Sequence, residues 1–478
     1  MQVVVFGATG YVGTNLVPAL VAAGHTVRAV GRRLDALQAR GWQGVDCVKA
    51  DALRPATLPA ALAGAEVVYY LVHSMAEGEG FPAIDRTAAQ NFREAAAAEG
   101  IRLIVYLGAL QPVEKGSPHI ESRRETGEIL RAGVVPVIEL RAGIIIGPGS
   151  AAFEVIRDLV FHLPAMVTPK WVFSLSQPIA LDDIVTYLVR LPEIPEAAGR
   201  IFNAGGPERL SYADMMKGFG ALVGRHPVIL PVPMLTPQLS SWWLSLVTSV
   251  PANVARALIG GLEHDLVVDD PALQALIPLS LKTYHEAVSA ALEAEKNAED
   301  RPRWVEGSML HRQNRPDFAF YAKHLRAETI SSAPAAALWR QVSRIGGENG
   351  YYFLDFLWRM RGFFDRLAGG VGMRRGRPEG GELAVGDALD FWRVIGLDPG
   401  RRLTLLAEMR IPGSATFEAE VLTLPDGQSK ISVAAYFHPA GAVGITYWNA
   451  LLPVHKVLFR GLVREIARRA EAETPPAA

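Results

Sequence analysis

Cysteine is nearly absent from this chain. A single one, Cys47, stands among 478 residues, so no disulfide forms within it and a reducing compartment is expected. Neither sign of charge dominates. The 48 lysines and arginines face 49 aspartates and glutamates, and a net charge of −1 supplies no field to draw nucleic acid or an acidic surface. Paired cysteines, a His-Glu-x-x-His motif, a nucleophile elbow and a P-loop are all missing, and the histidines are scattered, so no metal site is expected. Long apolar runs are missing as well. From Pro227 to Ala255 there is no charged residue, yet Pro231, Pro233, Pro237 and Pro251 cut the stretch into pieces shorter than the roughly 20 residues a membrane span needs. Its Trp242, Trp243 and Leu244 instead suit a helix walling an apolar substrate pocket, or one lying in a bilayer interface. The N-terminus runs straight into a strand with no basic segment or cleavage site, so no signal peptide is expected. A cytoplasmic location follows, with contact at the inner face of the membrane as a further expectation.

What is present begins at once. The apolar run Val3-Val4-Val5-Phe6 stops at Gly7-Ala8-Thr9-Gly10-Tyr11-Val12-Gly13, and helical spacing follows from Thr14 to Ala23. A buried parallel strand, a tight turn and a helix N-terminus form the unit that holds a dinucleotide pyrophosphate on backbone N–H groups. Gly7 permits the turn, Gly10 admits the phosphates and Gly13 lets the helix close on the strand, while Ala8, Thr9, Tyr11 and Val12 complete the loop.

A second strand, Thr26 to Val30, leads to Gly31-Arg32-Arg33. NAD-selective folds place a carboxylate there for the ribose 2′-hydroxyl, whereas arginine accommodates a 2′-phosphate, so Arg32 and Arg33 favour NADP over NAD. A third strand, Val45 to Lys49, ends at Ala50-Asp51, where Asp51 is placed to accept from the adenine amino group. Leu71 and Val72 close the fourth strand before His73-Ser74-Met75, and Gly108 lies in the fifth; these complete the candidate cofactor contacts.

Together with Val105-Tyr106-Leu107-Gly108-Ala109, Leu140-Arg141-Ala142-Gly143 and Gly147-Pro148-Gly149, these motifs resemble the extended and atypical short-chain dehydrogenase/reductases, especially the NmrA-like NAD(P)H-binding branch. The segments Pro178 to Ile184 and Phe202 to Pro207 are similar to those with which that family builds its substrate side, and the resemblance covers roughly residues 1–290. It implies a doubly wound Rossmann fold and an oxidoreductase. Active members carry a Tyr and, four residues on, a Lys that lowers its pKa for proton exchange with the substrate carbonyl. Aligned on Thr126-Gly127-Glu128, this chain has Ile120 and Arg124 at those positions, and Gly108 or Ala109 where the family has a Ser. Isoleucine transfers no proton, so the candidate catalytic groups are His119, Ser122 and the fixed cation Arg124, or a bound water.

The chain changes character at the charged run Glu293 to Trp304, which marks a boundary: residues 1–295 form the NAD(P)-binding domain with its substrate-side segments at about 150–290, 296–320 a linker, and 321–478 a second domain. There Leu403 to Met409, Thr416 to Leu422 and Lys430 to Phe437 read as meandering strands, and Leu451 to Ala472 as one long amphipathic helix, an α+β antiparallel arrangement. The segments Gly386 to Val394, Met409 to Gly413 and Tyr447 to Pro453 resemble a domain of unknown function that follows atypical reductase domains in bacteria. That resemblance implies a helix-grip, START-like domain that holds apolar ligands under its helix. Two readings stand: an NADP-dependent oxidoreductase acting on an apolar or lipid-like substrate, and an NADP(H)-binding sensor or assembly protein without turnover.

Overall fold

The computed structural model describes residues 1–38, 40–74, 80–112, 116–232, 264–268, 271–297, 303–305, 308–310, 321–373, 383–424 and 426–473. The chain divides into two compact units, Met1–Glu299 with Trp304–Gly307, and Asp300–Arg303 with Ser308–Ala478.

In the first unit β1 (Gln2–Phe6), β2 (Thr26–Gly31), β3 (Asp46–Lys49), β4 (Val67–Tyr70), β5 (Leu103–Ala109), β6 (Val137–Ala142) and a last strand, Ile201–Ala204, form one parallel sheet. Its order is β3-β2-β1-β4-β5-β6 and then Ile201–Ala204. Helices α1 (Tyr11–Ala22), α2 (Leu34–Gln38), α3 (Leu58–Leu62), α4 (Phe81–Ala98) and α5 (Pro118–Arg131) lie along the connections. Alternate residues of β1 serve opposite layers: Val3 and Val5 pack with Leu16 and Leu20 of α1, whereas Val4 and Phe6 pack with Phe92 of α4. This is the doubly wound architecture. The strand order reverses between β1 and β4, which in sheets of this kind is where the ligand crevice lies, beyond the carboxyl ends of those strands. Helix α1 begins at Tyr11, three residues before the expected Thr14, because the glycines of its first turn carry no apolar spacing.

The substrate-side segments make short ladders. Ile145–Ile146 pairs with Ile179–Ala180, and Ala165–Pro169 with Val228–Val232. Most of the uncharged stretch, residues 233–255 with its tryptophans, lies outside the described residues, as do Met75 and residues 298–302 of the charged run. Among the described residues no helix is long and apolar enough to cross a membrane.

The second unit is a six-stranded antiparallel sheet ordered Lys323–Ser331, Ser429–Pro439, Gly413–Thr423, Arg402–Ala407, Trp392–Asp398 and Ala388–Leu389. Leu458, Leu462 and Ile466 of the terminal helix, Gly441–Glu473, share one core with Phe417, Val421 and Val433 of the sheet. That helix starts ten residues before the expected Leu451. Pro453 reads as a helix start, but a proline removes only one N–H, and buried Ile445 and Trp448 hold the turns before it. The helices Ala335–Ser343 and Asp355–Leu367 complete the unit.

Candidate active site

The glycine loop is built as a cradle. Gly7 sits at φ +98°, and a Cβ there would stand 3.0 Å from the Leu71 main chain. At Gly13 a Cβ would meet the Gly7 oxygen at 2.5 Å and the Ala8 Cα at 2.8 Å, so only glycine lets α1 approach the turn this closely. The turn is closed by the N–H groups of Gly7 and Ala8, which donate to the Val30 carbonyl at 3.0 and 3.1 Å, and by Gly10 N–H, which donates to the Gly7 carbonyl at 3.0 Å. Gly10 caps α1 without any side-chain hydrogen bond. The first-turn N–H groups of Tyr11, Val12 and Gly13 therefore meet no capping side chain, which is the arrangement that receives a phosphate.

Around this cradle lie the other candidate contacts. Arg32 and Arg33 follow β2 directly and are exposed. Thr9 is braced from behind, its carbonyl accepting from Arg40 Nη2 at 3.2 Å. Asp51 is partly committed: its Oδ1 accepts from Leu53 N–H at 3.0 Å, and its own N–H donates to Thr57 Oγ1 at 3.0 Å. Leu71 backs Gly7, and the Val72 carbonyl is engaged by Arg123. At Gly108 a Cβ would stand 3.2 Å from Glu139 Oε1 and 3.4 Å from Arg141 Cγ, so that glycine makes room for a buried carboxylate bracketed by Arg131 and Arg141.

Tyr11 Oη is enclosed and has no hydrogen-bond partner among the described residues. Burial, then the charges of Glu154 and Asp182, push its pKa far above the usual phenol range, so the hydroxyl stays protonated.

A cluster of His73, His119 and Arg123 lies at the ends of β4 and β5. Helix α5 starts at Pro118, with the Ser117 side chain accepting from Ile120 N–H, and sets His119 in its first turn and Arg123 one turn later. Arg123 is anchored by the main chain: Nη1 donates to the Val72 carbonyl at 3.4 Å and Nη2 to the Leu107 carbonyl at 3.0 Å. Tyr106 supports it from below, its hydroxyl donating to the Arg123 carbonyl at 2.9 Å. Burial, then the Arg123 charge, then His73, hold the pKa of His119 down to about 3. His73 reaches solvent yet is walled by protein, as a residue in a crevice is, and desolvation with the Arg123 charge lowers its pKa to about 4. Two imidazoles that stay neutral at pH 7 thus share the strand ends with one fixed cation.

Of the three catalytic candidates, the structure brings only His119 here. Ser122 is buried on another side of α5, its Oγ donating to Asp85 Oδ2 at 2.9 Å. Arg124 points away, paired with Glu121 at 2.8 Å and Glu128 at 2.5 Å. Ile120 is buried too, so the helix is turned by one residue from the alignment on Glu128: the i, i+4 pair facing the strand ends is His119 and Arg123, not Ile120 and Arg124. His73 and Arg123 are not among the sequence-based catalytic candidates; the sequence signal for Arg123 is its place four residues after His119, and for His73 its place just after the fourth strand.

Residues 7–133 match the family model for NAD(P)H-binding proteins. The first unit carries an NAD(P)H-binding domain. Residues 318–462 match a separate family, described as a protein of unknown function, DUF2867. A ceramide reductase of Caulobacter vibrioides is 25% identical over 235 residues, covering 48% of this chain and 73% of that protein. Triphenylmethane reductase from Citrobacter sp. aligns with a TM-score of 0.52 at 18% identity, over 61% of this chain and 100% of its own. An NADPH-dependent quinone oxidoreductase from Escherichia coli aligns with a TM-score of 0.51 at 20% identity, over 60% of this chain and 99% of its own. At these identities the two structures bear on fold alone, and their folds are that of the NAD(P)H-binding domain.

Proposed function

We propose that this chain is an NADPH-dependent reductase acting on an apolar substrate that carries a carbonyl, quinone or conjugated enone. The observation that carries the reading is the His73, His119 and Arg123 cluster at the strand ends of a dinucleotide-binding sheet. The N–H groups of Tyr11, Val12 and Gly13 would hold the pyrophosphate, Arg32 and Arg33 the 2′-phosphate, and Asp51 the adenine side of the crevice. Leu71, Val72 and Gly108 would border the remainder. NADPH supplies a hydride when bound. His119, neutral across the physiological range, would donate a hydrogen bond to the substrate oxygen, as a neutral imidazole does in other enzymes. The Arg123 charge would stabilise the negative charge arising on that oxygen when the carbon accepts hydride, and water would supply the proton. The choice of NADPH is further supported by the NADPH-dependent relative from Escherichia coli. An apolar substrate is supported by the relatives whose names give ceramide, triphenylmethane dyes and quinones. Loss of reduced-nicotinamide absorbance on adding quinones, enones and long-chain ketones to the protein with NADPH tests this. Turnover that falls in Arg123→Met supports it, and no oxidation by any of them overturns it.

A ligand-holding role for the second unit is favoured by one group. The indole N–H of Trp358 is buried, stacked 4.4 Å from the Tyr351 ring, and has no hydrogen-bond partner among the described residues. An apolar molecule bearing a hydroxyl or carbonyl oxygen would satisfy it. Native mass spectrometry of the full chain after lipid addition tests this; no adduct with lipid, isoprenoid or detergent refutes it.

A further inference from the structure

The helix Asp355–Leu367 in the second unit has two unlike faces. Trp358, Gly362 and Asp365 are buried, whereas Phe356, Met360, Phe363, Phe364 and Leu367 are each between 47% and 69% exposed. Single exposed apolar residues are ordinary, but these five recur at helical spacing and make one continuous stripe. A stripe of this kind marks a surface that meets something.

Charge says what. Arg361 lies 5.3 Å over the ring of Tyr447, which sets the terminal helix Gly441–Glu473 beside this one. On that neighbour Val443, Val454 and Val457 are exposed together with Lys456 and Arg460. Arg359 and Arg366 are exposed along the stripe itself. The acids offset little of this. Asp355 pairs with Arg359 at 3.1 Å, and buried Asp365 accepts from the N–H groups of Gly372 and Arg410, both at 2.8 Å. In a chain of net charge −1 the surplus is local.

We infer that this face docks on a lipid surface bearing anionic headgroups, with Phe356, Met360, Phe363, Phe364 and Leu367 entering the acyl boundary. Aromatic and aliphatic side chains on one face with arginine and lysine at the rim are the pattern of an interfacial helix. A second copy of the chain fits less well, because a two-fold contact would set one cationic rim against the other.

Flotation of the full-length protein with phosphatidylcholine vesicles, with and without phosphatidylglycerol, tests this. Binding is expected to the anionic vesicles, to weaken as salt screens the rim, and to fall by at least about tenfold in Phe363→Ser/Phe364→Ser, which removes two inserted rings. An unchanged melting temperature and unchanged NADPH affinity show that the variant is folded. No flotation with either vesicle overturns the inference, as does equal flotation of the variant. A concentration-dependent dimer that the variant abolishes, without vesicle binding, assigns the stripe to a second copy instead and also overturns it.

Discussion

His119 and Arg123 stand one turn apart on α5, and burial, reinforced by the guanidinium that Val72 and Leu107 hold at the strand ends, lowers the pKa of that imidazole. Removing the charge in Arg123→Met is expected to lower kcat by roughly 10²-fold with little change in NADPH affinity, the scale seen when one group stabilising an oxyanion is lost. Arg124→Ala, which removes only exposed ion pairs, is expected to leave kcat unchanged. Steady-state kinetics of the two variants check this, and equal effects would contradict the assignment.

The pH profile follows from the same geometry. His119 and His73 hold pKa values of about 3 and about 4, so neither titrates between pH 5 and 8. The profile of kcat/KM is expected to show no ionisation near 6.5. A step there that vanishes in His119→Asn would contradict it.

Stability carries the opposite signature. An unfolded imidazole binds a proton near pH 6.5, while His119, His73 and, in the second unit, His455 at about 4 do not in the folded chain. The unfolded state therefore takes up more protons as pH falls, and stability is lost from about 6.5 downward toward 4. Urea melts at descending pH are expected to show this, with a shallower slope for the first unit in His119→Asn.

Arg32 is expected to govern the choice of dinucleotide. NADPH is expected to bind more tightly than NADH, and Arg32→Ala to erode the difference by about 1 to 3 kcal/mol, the scale of a charge-assisted hydrogen bond. Titration calorimetry with both dinucleotides measures it.

Gly13 has no room to change. The Cβ of Gly13→Ala would press on two main-chain atoms, at 2.5 and 2.8 Å, that cannot rotate away. A stability loss of about 1 to 3 kcal/mol and a marked loss of NADPH binding are expected, read by thermal melts and calorimetry.

The start of the parallel sheet was legible because Val3 to Phe6 and Val67 to Tyr70 are short apolar runs, and the Gly7 to Gly13 spacing carries its own stereochemistry; β3, with Asp46 and Lys49, and β6, with Glu139 and Arg141, give a weaker pattern. The active site was less so. One residue of helical register separates Arg123 from Arg124, and spacing read around Glu128 chose the residue that faces solvent. The ties of Arg123 to the Val72 and Leu107 carbonyls decide between them, and the first joins residues 51 apart in sequence. His73 reads as the residue just after the fourth strand, yet its nearness to His119 depends on β4 and β5 pairing. The stripe on Asp355–Leu367 escaped notice for another reason: with Trp358 opposite it, the helix is apolar on both faces, and pattern alone does not say which one is covered.

The central claim is that hydride passes from NADPH to an apolar carbonyl or enone in this crevice. Deuterium placed at the transferable position of NADPH tests it most directly, with the product analysed by mass spectrometry after incubation with the reactive members of the quinone, enone and ketone panel. The account predicts one deuterium in the reduced product of an enone or ketone, with transfer slowed by roughly 10²-fold in Arg123→Met. NADPH that binds tightly while no deuterium reaches any acceptor would contradict it and leave a dinucleotide-binding protein without turnover.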